Sequence, residues 1–257
     1  MSTSSIGFTG VAASLVLIVV AAALSWRERL GLERTIAWAA CRAFGQLVVI
    51  GGALALVLAD DAPPILSWLW VAGMVVVGAA TIASRVRNVP GLFALAAGAL
   101  GGAVAVSLLV AFGLGIFPLE PRTIVPVAGM LLGNAIGATV LSARRTLIEI
   151  TEHRDQIEVR LAIGQTGRDA IRPHLQESLR TAIGPQIEQT KIVGLIALPG
   201  TMTGLLLAGV DPLDAVLVQV AVMFLILGSV AITSVVVGRG VAHRLLTADH
   251  RLQLPAT

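Results

Sequence analysis

Seven apolar stretches run along this chain, at about 7–25, 36–58, 65–82, 92–117, 124–141, 192–208 and 213–237. A single long polar stretch, Ser142 to Lys191, separates the fifth from the sixth. About 20 apolar residues wound as a helix cross roughly 30 Å of hydrocarbon. Backbone groups in lipid must be paired internally, so the stretches are expected to be helices. The period-two alternation of a membrane barrel is missing. The pattern therefore predicts an all-α integral membrane protein with about seven transmembrane helices and a two-helix polar region between spans five and six. Three segments follow: spans one to five over 1–141, the polar region over 142–191, and spans six and seven with a tail over 192–257.

The polar region has its own periodicity. Leu147, Ile150, Ile157 and Leu161 make a narrow apolar stripe, as on an amphipathic helix. This helix is expected to continue out of span five through Arg144 and Arg145 and to stop at Gly164, which accepts positive φ without strain. Thr166 with Asp169 fits a capping box for a second helix, although glutamate is the usual partner. Ile171, Leu175, Leu179 and Ile183 repeat every four residues in it. Pro173 either interrupts this helix or marks its start, and Gly184–Pro185 is expected to end it.

Composition agrees with the membrane reading. The chain is 56% hydrophobic and only 13% charged, against about 25% charged in soluble domains; its mean hydropathy is +0.90. No Lys or Arg precedes Arg27, which argues against a cleaved signal peptide at the first span. The one cysteine, Cys41, excludes an intrachain disulfide. A sequence pI near 10.3 reflects topology here and implies no nucleic-acid partner.

The polar region holds eight of the 18 basic residues and seven of the 15 acidic ones. With the N-terminus outside, 16 Lys and Arg fall on the side of the polar region, and only Arg122 falls on the other. The positive-inside rule then predicts a multi-pass protein of the cell's inner (plasma) membrane, with the polar region and C-terminus in the cytosol. Removing one span would destroy this asymmetry.

On periodicity alone, the polar region could be a helical hairpin lying on the membrane surface. A sharper reading comes from the string Glu158-Val-Arg-Leu-Ala-Ile-Gly164. It resembles the glutamate–six–glycine spacing of the cytoplasmic coupling loop in ABC transporter permeases, where a short helix and glycine turn dock on the ATPase subunit. The resemblance marks Glu158, Arg160, Ala162 and Gly164 as coupling residues. The ending of that motif has an echo in Ile196-Ala-Leu-Pro199, farther downstream than in importers.

Longer strings extend the match. Ile124-Val-Pro-Val-Ala-Gly-Met-Leu-Leu-Gly-Asn-Ala-Ile-Gly137, Ile192-Val-Gly-Leu-Ile-Ala-Leu-Pro-Gly-Thr-Met-Thr-Gly204 and Leu207-Ala-Gly-Val-Asp-Pro212 resemble signatures of the FetB-type iron-export ABC permease family. The resemblance extends to the Trp26–Glu33 loop and covers nearly the whole chain. Plant relatives in that family are associated with aluminium tolerance, and one is linked to UDP-glucose transport. The resemblance implies a permease that dimerises and borrows energy from a separate ABC ATPase subunit, and it fixes the machine better than the cargo. The chain has no Gly-x4-Gly-Lys-[Ser/Thr] string, and its only lysine is Lys191. A phosphate-cradling P-loop needs that lysine, so the chain is expected to bind no cofactor, with ATP used by its partner.

Several residues inside the spans could pack helices or line a path. Gly129, Gly133 and Gly137 recur every four residues, a small-residue face that allows close approach of another helix. Asn134 adjoins it, as a helix contact or a cargo contact. Span six is interrupted at Pro199 and Gly200, followed by Thr201 and Met202, which predicts a kink; freed carbonyls and hydroxyls there could line a path. Arg42 and Gln46 share one face of span two, with snorkelling to the headgroups as the default role for Arg42.

The four histidines, His153, His174, His243 and His250, all fall on the cytosolic side, and no two have the i,i+4 spacing of a helical clamp. Cys41, Met74, Met130, Met202 and Met223 are soft ligands that ordinary packing explains equally well. Nothing in these residues selects iron. The leading reading is an ABC permease exporting iron or another metal or metal-linked solute. The alternatives are a permease for a nucleotide sugar or other small solute, and an ATPase-coupled signalling protein that moves no cargo. A secondary carrier would be expected to place paired acidic residues in its spans, where Asp214 is the single candidate.

Overall fold

A computed structural model describes residues 8–59, 62–87, 89–194, 198–247 and 252, with side chains from Ala13 onward. The described residues form helices α1 (Phe8–Arg27), α2 (Glu33–Val57), α3 (Ile65–Arg85), α4 (Leu92–Gly113), α5 (Pro121–Glu152), α6 (Arg154–Ala162), α7 (Gly167–Ile192), α8 (Gly200–Leu207) and α9 (Pro212–Arg244). They contain no strand, and the only β pairing among them is an isolated bridge between Leu246 and Leu252. The chain divides into two compact units, 1–62 and 63–257.

The first unit is a helical hairpin of α1 and α2. Its turn is held by Ser25, whose hydroxyl donates to Glu33 Oε1 at 3.0 Å and accepts the Leu32 N–H at 3.1 Å. None of the α2 side chains is buried. Most of them are exposed within this unit, and a few, among them Ile36 and Leu54, are half-buried.

The second unit is the packed body, and the directions of its helices follow from their neighbours. A Cβ on Gly129 would meet Met74 and one on Gly78 would meet Ile136, and Arg144 donates to the Arg85 carbonyl. These pairings make α3 and α5 parallel. Ser142 donates to the Ser234 carbonyl, and Thr146 lies beside Gly238, so α9 is parallel to α5 as well. By contrast, Gly240 meets Leu95 and Gly91 meets Arg244, which sets α4 antiparallel to α9. Side chains repeat at helical spacing where they meet: Leu92, Ala96, Leu100, Ala103 and Ser107 line the buried face of α4.

Among the described residues, five helices are long and apolar enough to cross a membrane: α2, α3, α4, α5 and α9. Ala13–Arg27 of α1 forms a shorter apolar helix. The expected sixth span, 192–208, is not one helix. Its helical part, α8, has eight residues and reaches only about 12 Å at 1.5 Å per residue. The reason is Pro199, which lacks an N–H, takes an extended conformation (φ −62°, ψ 150°) and serves as the N-cap of α8. The expected kink is therefore a break; residues 195–197, which hold part of the Ile196–Pro199 string, lie outside the described residues.

Two boundaries in the polar region also differ from the sequence pattern. The first amphipathic helix does emerge from span five, as α5 runs unbroken through Arg144 and Arg145 to Glu152. It is interrupted at His153, however, and α6 restarts at Arg154. There the His153 ring competes for the Glu149 carbonyl at 3.0 Å, and Ile157 becomes the one fully buried residue of α6. The second helix does not end at Gly184–Pro185: α7 keeps both Pro173 and Pro185 inside and runs to Ile192. Proline costs a helix one hydrogen bond, and the packing of α7 on α5 and α9 offsets that loss.

Candidate functional site

The tip of the polar region is α6 with its C-terminal turn. Gly164 takes φ +90°, which lets its N–H reach the Leu161 carbonyl and the Gln165 N–H reach the Arg160 carbonyl, at 3.0 and 3.1 Å. These two bonds form a Schellman motif. Next, the Thr166 hydroxyl accepts the Asp169 N–H at 3.2 Å and donates to the Asp169 carboxylate at 2.6 Å, so the expected cap of the second helix is present.

Glu158, Ala162 and Gly164 are exposed at this tip, and Arg160 is half-buried. Val159 and Ile163 leave 62% and 72% of their surfaces uncovered, giving α6 an apolar outer face. Glu158 pairs with Arg154 one turn earlier, carboxylate to Nε at 2.6 Å, and this bond is the first cause of a raised Arg154 pKa.

A groove of about 920 Å³ opens beside the start of α7, lined by Arg168, Arg172, Arg239 and His243 with Leu175 and Leu246 among its apolar walls. Its cations outnumber its one carboxylate, Asp169.

Farther along α5, three expected residues are brought toward one point. Asn134 Nδ2 donates to the Met130 carbonyl at 2.8 Å, which satisfies its amide on its own helix instead of on a neighbour. Thr201, in the first turn of α8, donates to the Met130 sulfur at 3.3 Å. Pro199 and Met202 flank it half-buried, and Gly200 is exposed. Of the small-residue face, Gly129 alone meets a helix of this chain: a Cβ there would lie 3.2 Å from Met74. Gly133 and Gly137 open onto free space. Arg42 and Gln46 are exposed on α2, in the other unit.

The sequence pattern did not point to the polar seam among α5, α7 and α9. The buried face of α7 is Gly167, Ala170, Ile171, His174, Ser178, Ala182 and Gln186; of the expected apolar repeat, Ile171 is buried, whereas Leu175, Leu179 and Ile183 sit half-buried beside it. Ten of the 13 buried polar side chains belong to these three helices. Among the described residues, the seven buried side-chain polar atoms without a hydrogen-bond partner are on the same three helices, on Thr146, His174, Gln186, Gln219, Ser229, Ser234 and Arg244, with the Arg244 guanidinium turned toward Gly91 at the start of α4.

Where α5 ends, the His153 and His174 rings stack with centroids 4.6 Å apart, and Glu149 Oε2 lies 3.4 Å from His153 Nδ1. Burial lowers the His174 pKa, helped by His153 and Arg160 and opposed by Glu149. The i,i+4 spacing of Glu149 and His153 was legible in the sequence; the approach of His174 required the fold.

The family described as Uncharacterised protein family (UPF0014) matches residues 8–246. The chain belongs to the UPF0014 family. The chain is 36% identical over 232 residues to UPF0014 membrane protein STAR2 of Oryza sativa subsp. japonica, covering 90% of this chain and 80% of the relative. It is 33% identical to Protein ALUMINUM SENSITIVE 3 of Arabidopsis thaliana, over 89% of this chain and 84% of the relative. It is 30% identical to the Probable iron export permease protein FetB of Escherichia coli (strain K12), over 98% of this chain and 97% of the relative. No solved structure matches. Membership in UPF0014 and the apolar helices together make this a multi-pass membrane protein.

Proposed function

We propose that this chain is the permease subunit of an ABC transporter, exporting a metal ion or metal-linked solute under the drive of a separate ATPase subunit. The observation that carries this reading is the similarity to the FetB permease over 98% of the chain. The chain brings no P-loop lysine of its own, and α6 offers an exposed apolar face with Glu158 and Gly164 at its end. The tip of α6 and the neighbouring basic groove together make the docking face for the ATPase.

Motion of that face has a direct route inward. α5 is a continuous 32-residue helix, about 48 Å long, with α6 at one end and Met130 and Asn134 along its shaft. A push on α6 is thus passed as a rigid-body tilt to the contact with Thr201. The polar seam of α5, α7 and α9 supplies hydroxyls and amides for a polar cargo on its way across, in a layer where lone polar groups are otherwise costly.

The chain crosses back between α7 and α9. His174 meets His153, Leu179 meets the Ser142–Gly238–Thr146 contact, and Thr201 meets Met130, so the chain climbs along α5 as it proceeds. The return crossing is composite: the second half of α7, the break up to Pro199, and α8. On this reading the chain crosses seven times, with the N-terminus outside and the C-terminus in the cytosol. We read the protein as a homodimer, because one such bundle is small for a two-sided path and the small residues Gly133 and Gly137 permit close approach of another helix.

The test is co-purification with a candidate P-loop ATPase subunit from the same organism, followed by ATP-dependent uptake into inverted vesicles. Glu158→Lys and Gly164→Trp are expected to abolish ATPase capture while the permease remains folded in the membrane. Capture that is unchanged in both variants, or transport that persists without any ATPase, overturns the reading. Comparing iron, other divalent metals and nucleotide sugars in the same vesicles identifies the cargo.

A further inference from the structure

We infer that Glu149, His153 and His174 form a binding site for a divalent transition-metal ion that clips the end of α5 to α7. One potential ligand atom from each of these residues lies within 4.8 Å of the others. Two imidazoles and one carboxylate form a donor set suited to zinc, cobalt, nickel or ferrous iron, and poorly suited to magnesium, which takes oxygen ligands.

Three details support a built site. His174 is only 7% exposed, and its Nε2 has no hydrogen-bond partner among the described residues. A buried nitrogen normally has one, and a metal ion would satisfy it. His153 Nδ1 lies 3.0 Å from the Glu149 carbonyl. If it donates there, the neutral tautomer keeps the lone pair on Nε2, and ligating histidines commonly make this second contact. Finally, the donors come from two helices, so the site exists only in the folded chain.

Binding would change the structure in a defined direction. Bonds of 2.0–2.1 Å in tetrahedral geometry hold donors about 3.3 Å apart. Atoms now spread over as much as 4.8 Å would therefore draw together, pulling the end of α5 toward α7 at the base of α6. Three protein ligands leave a fourth position for water. This inference concerns metal binding by the chain itself and stands apart from the transport reading, since it holds whatever the cargo is.

The test uses the full-length protein without a histidine tag, in detergent, titrated with Co²⁺ alone. The expected result is saturable binding of one Co²⁺ per chain with visible ligand-field absorption, and a thermal midpoint that rises with Co²⁺. Excess Mg²⁺ should leave the bound ion in place. His153→Gln and Glu149→Gln alter partly exposed side chains, and each is expected to weaken Co²⁺ binding by on the order of tenfold or more without moving the metal-free midpoint. His174→Asn should do the same, and the first two variants decide the matter if it does not fold. The inference is overturned if wild-type protein shows no saturable Co²⁺ binding, if Mg²⁺ displaces it equally well, or if the His153→Gln/Glu149→Gln double variant binds like wild type. Because no ATPase or transport enters the experiment, its failure would leave the permease reading intact.

Discussion

Gly238 sits where three helices converge. A Cβ added there would lie 2.7 Å from Ser142 Oγ on α5 and 2.9 Å from Leu179 Cδ2 on α7. The leucine end can rotate away, but the Ser142 hydroxyl is fixed by its bond to the Ser234 carbonyl at 2.7 Å. Gly238→Ala should therefore lower stability by about 1–3 kcal/mol, as overpacking does, read as a lower thermal midpoint in detergent. Gly133→Ala is the control: nothing lies within 4 Å of its Cβ position, so the midpoint should hardly move. Equal effects of the two substitutions would contradict the packing of α5, α7 and α9. Neither residue announces this difference in the sequence, where the glycines of α5 recur every four residues and look more constrained than Gly238 of α9. Their burial depends on partners that only the fold supplies.

At the scale of elements, the Thr166 cap shows what local chemistry can specify. Its hydroxyl is the side-chain acceptor for the first turn of α7, so Thr166→Ala should cost about 1 kcal/mol. Hydrogen exchange in the first turn of α7 should speed up, with exchange in α5 unchanged; unchanged exchange in α7 would refute the role of the cap.

The same logic explains which elements were legible. The apolar runs located α3, α4, α5 and α9, and Gly164 and Thr166 marked the turn between α6 and α7, because each signal is local. α7 was misread at two points for one reason. Beyond Ile171, which the apolar repeat did include, its buried stripe runs through Ala170, His174, Ser178, Ala182 and Gln186 and is small and polar, so hydropathy assigned the rest of the contact face to Leu175, Leu179 and Ile183 beside it. Pro185 then looked like a stop, although tertiary packing carries the helix through it. Of the candidate site, the exposed tip at Glu158 and Gly164 could be read from spacing. The meeting of His153 with His174, and of Met130 with Thr201, joins residues 21 and 71 positions apart and has no local signature.

Across the whole molecule, the decisive quantity is the number of crossings. α5 and α9 are parallel, so their N-termini, near Glu120 and Asp211, share one end of the bundle. α5 delivers the chain to the other end, at Arg144 and Arg145, and α9 begins again at the first. The segment between them must return the whole way, although its only apolar helix has eight residues. Polar α7 accounts for the missing length. It has no long apolar run: α7 carries seven charged residues between Arg168 and Lys191, among them the Glu188–Lys191 pair bonded at 2.7 Å. Single cysteines introduced in a Cys41→Ser background can test this path with a membrane-impermeant maleimide. Cysteines at Glu120 and Asp211 should label from the same face of sealed vesicles, and those at Arg87 and Gln165 only from the opposite face. If Asp211 labels together with Gln165, the chain between α7 and α9 does not cross, and the positive-inside count of 16 against one loses its structural basis. If the labels divide as expected, the polar second half of α7 lies at membrane depth, where its exposed charges must face an aqueous path or a second subunit rather than lipid.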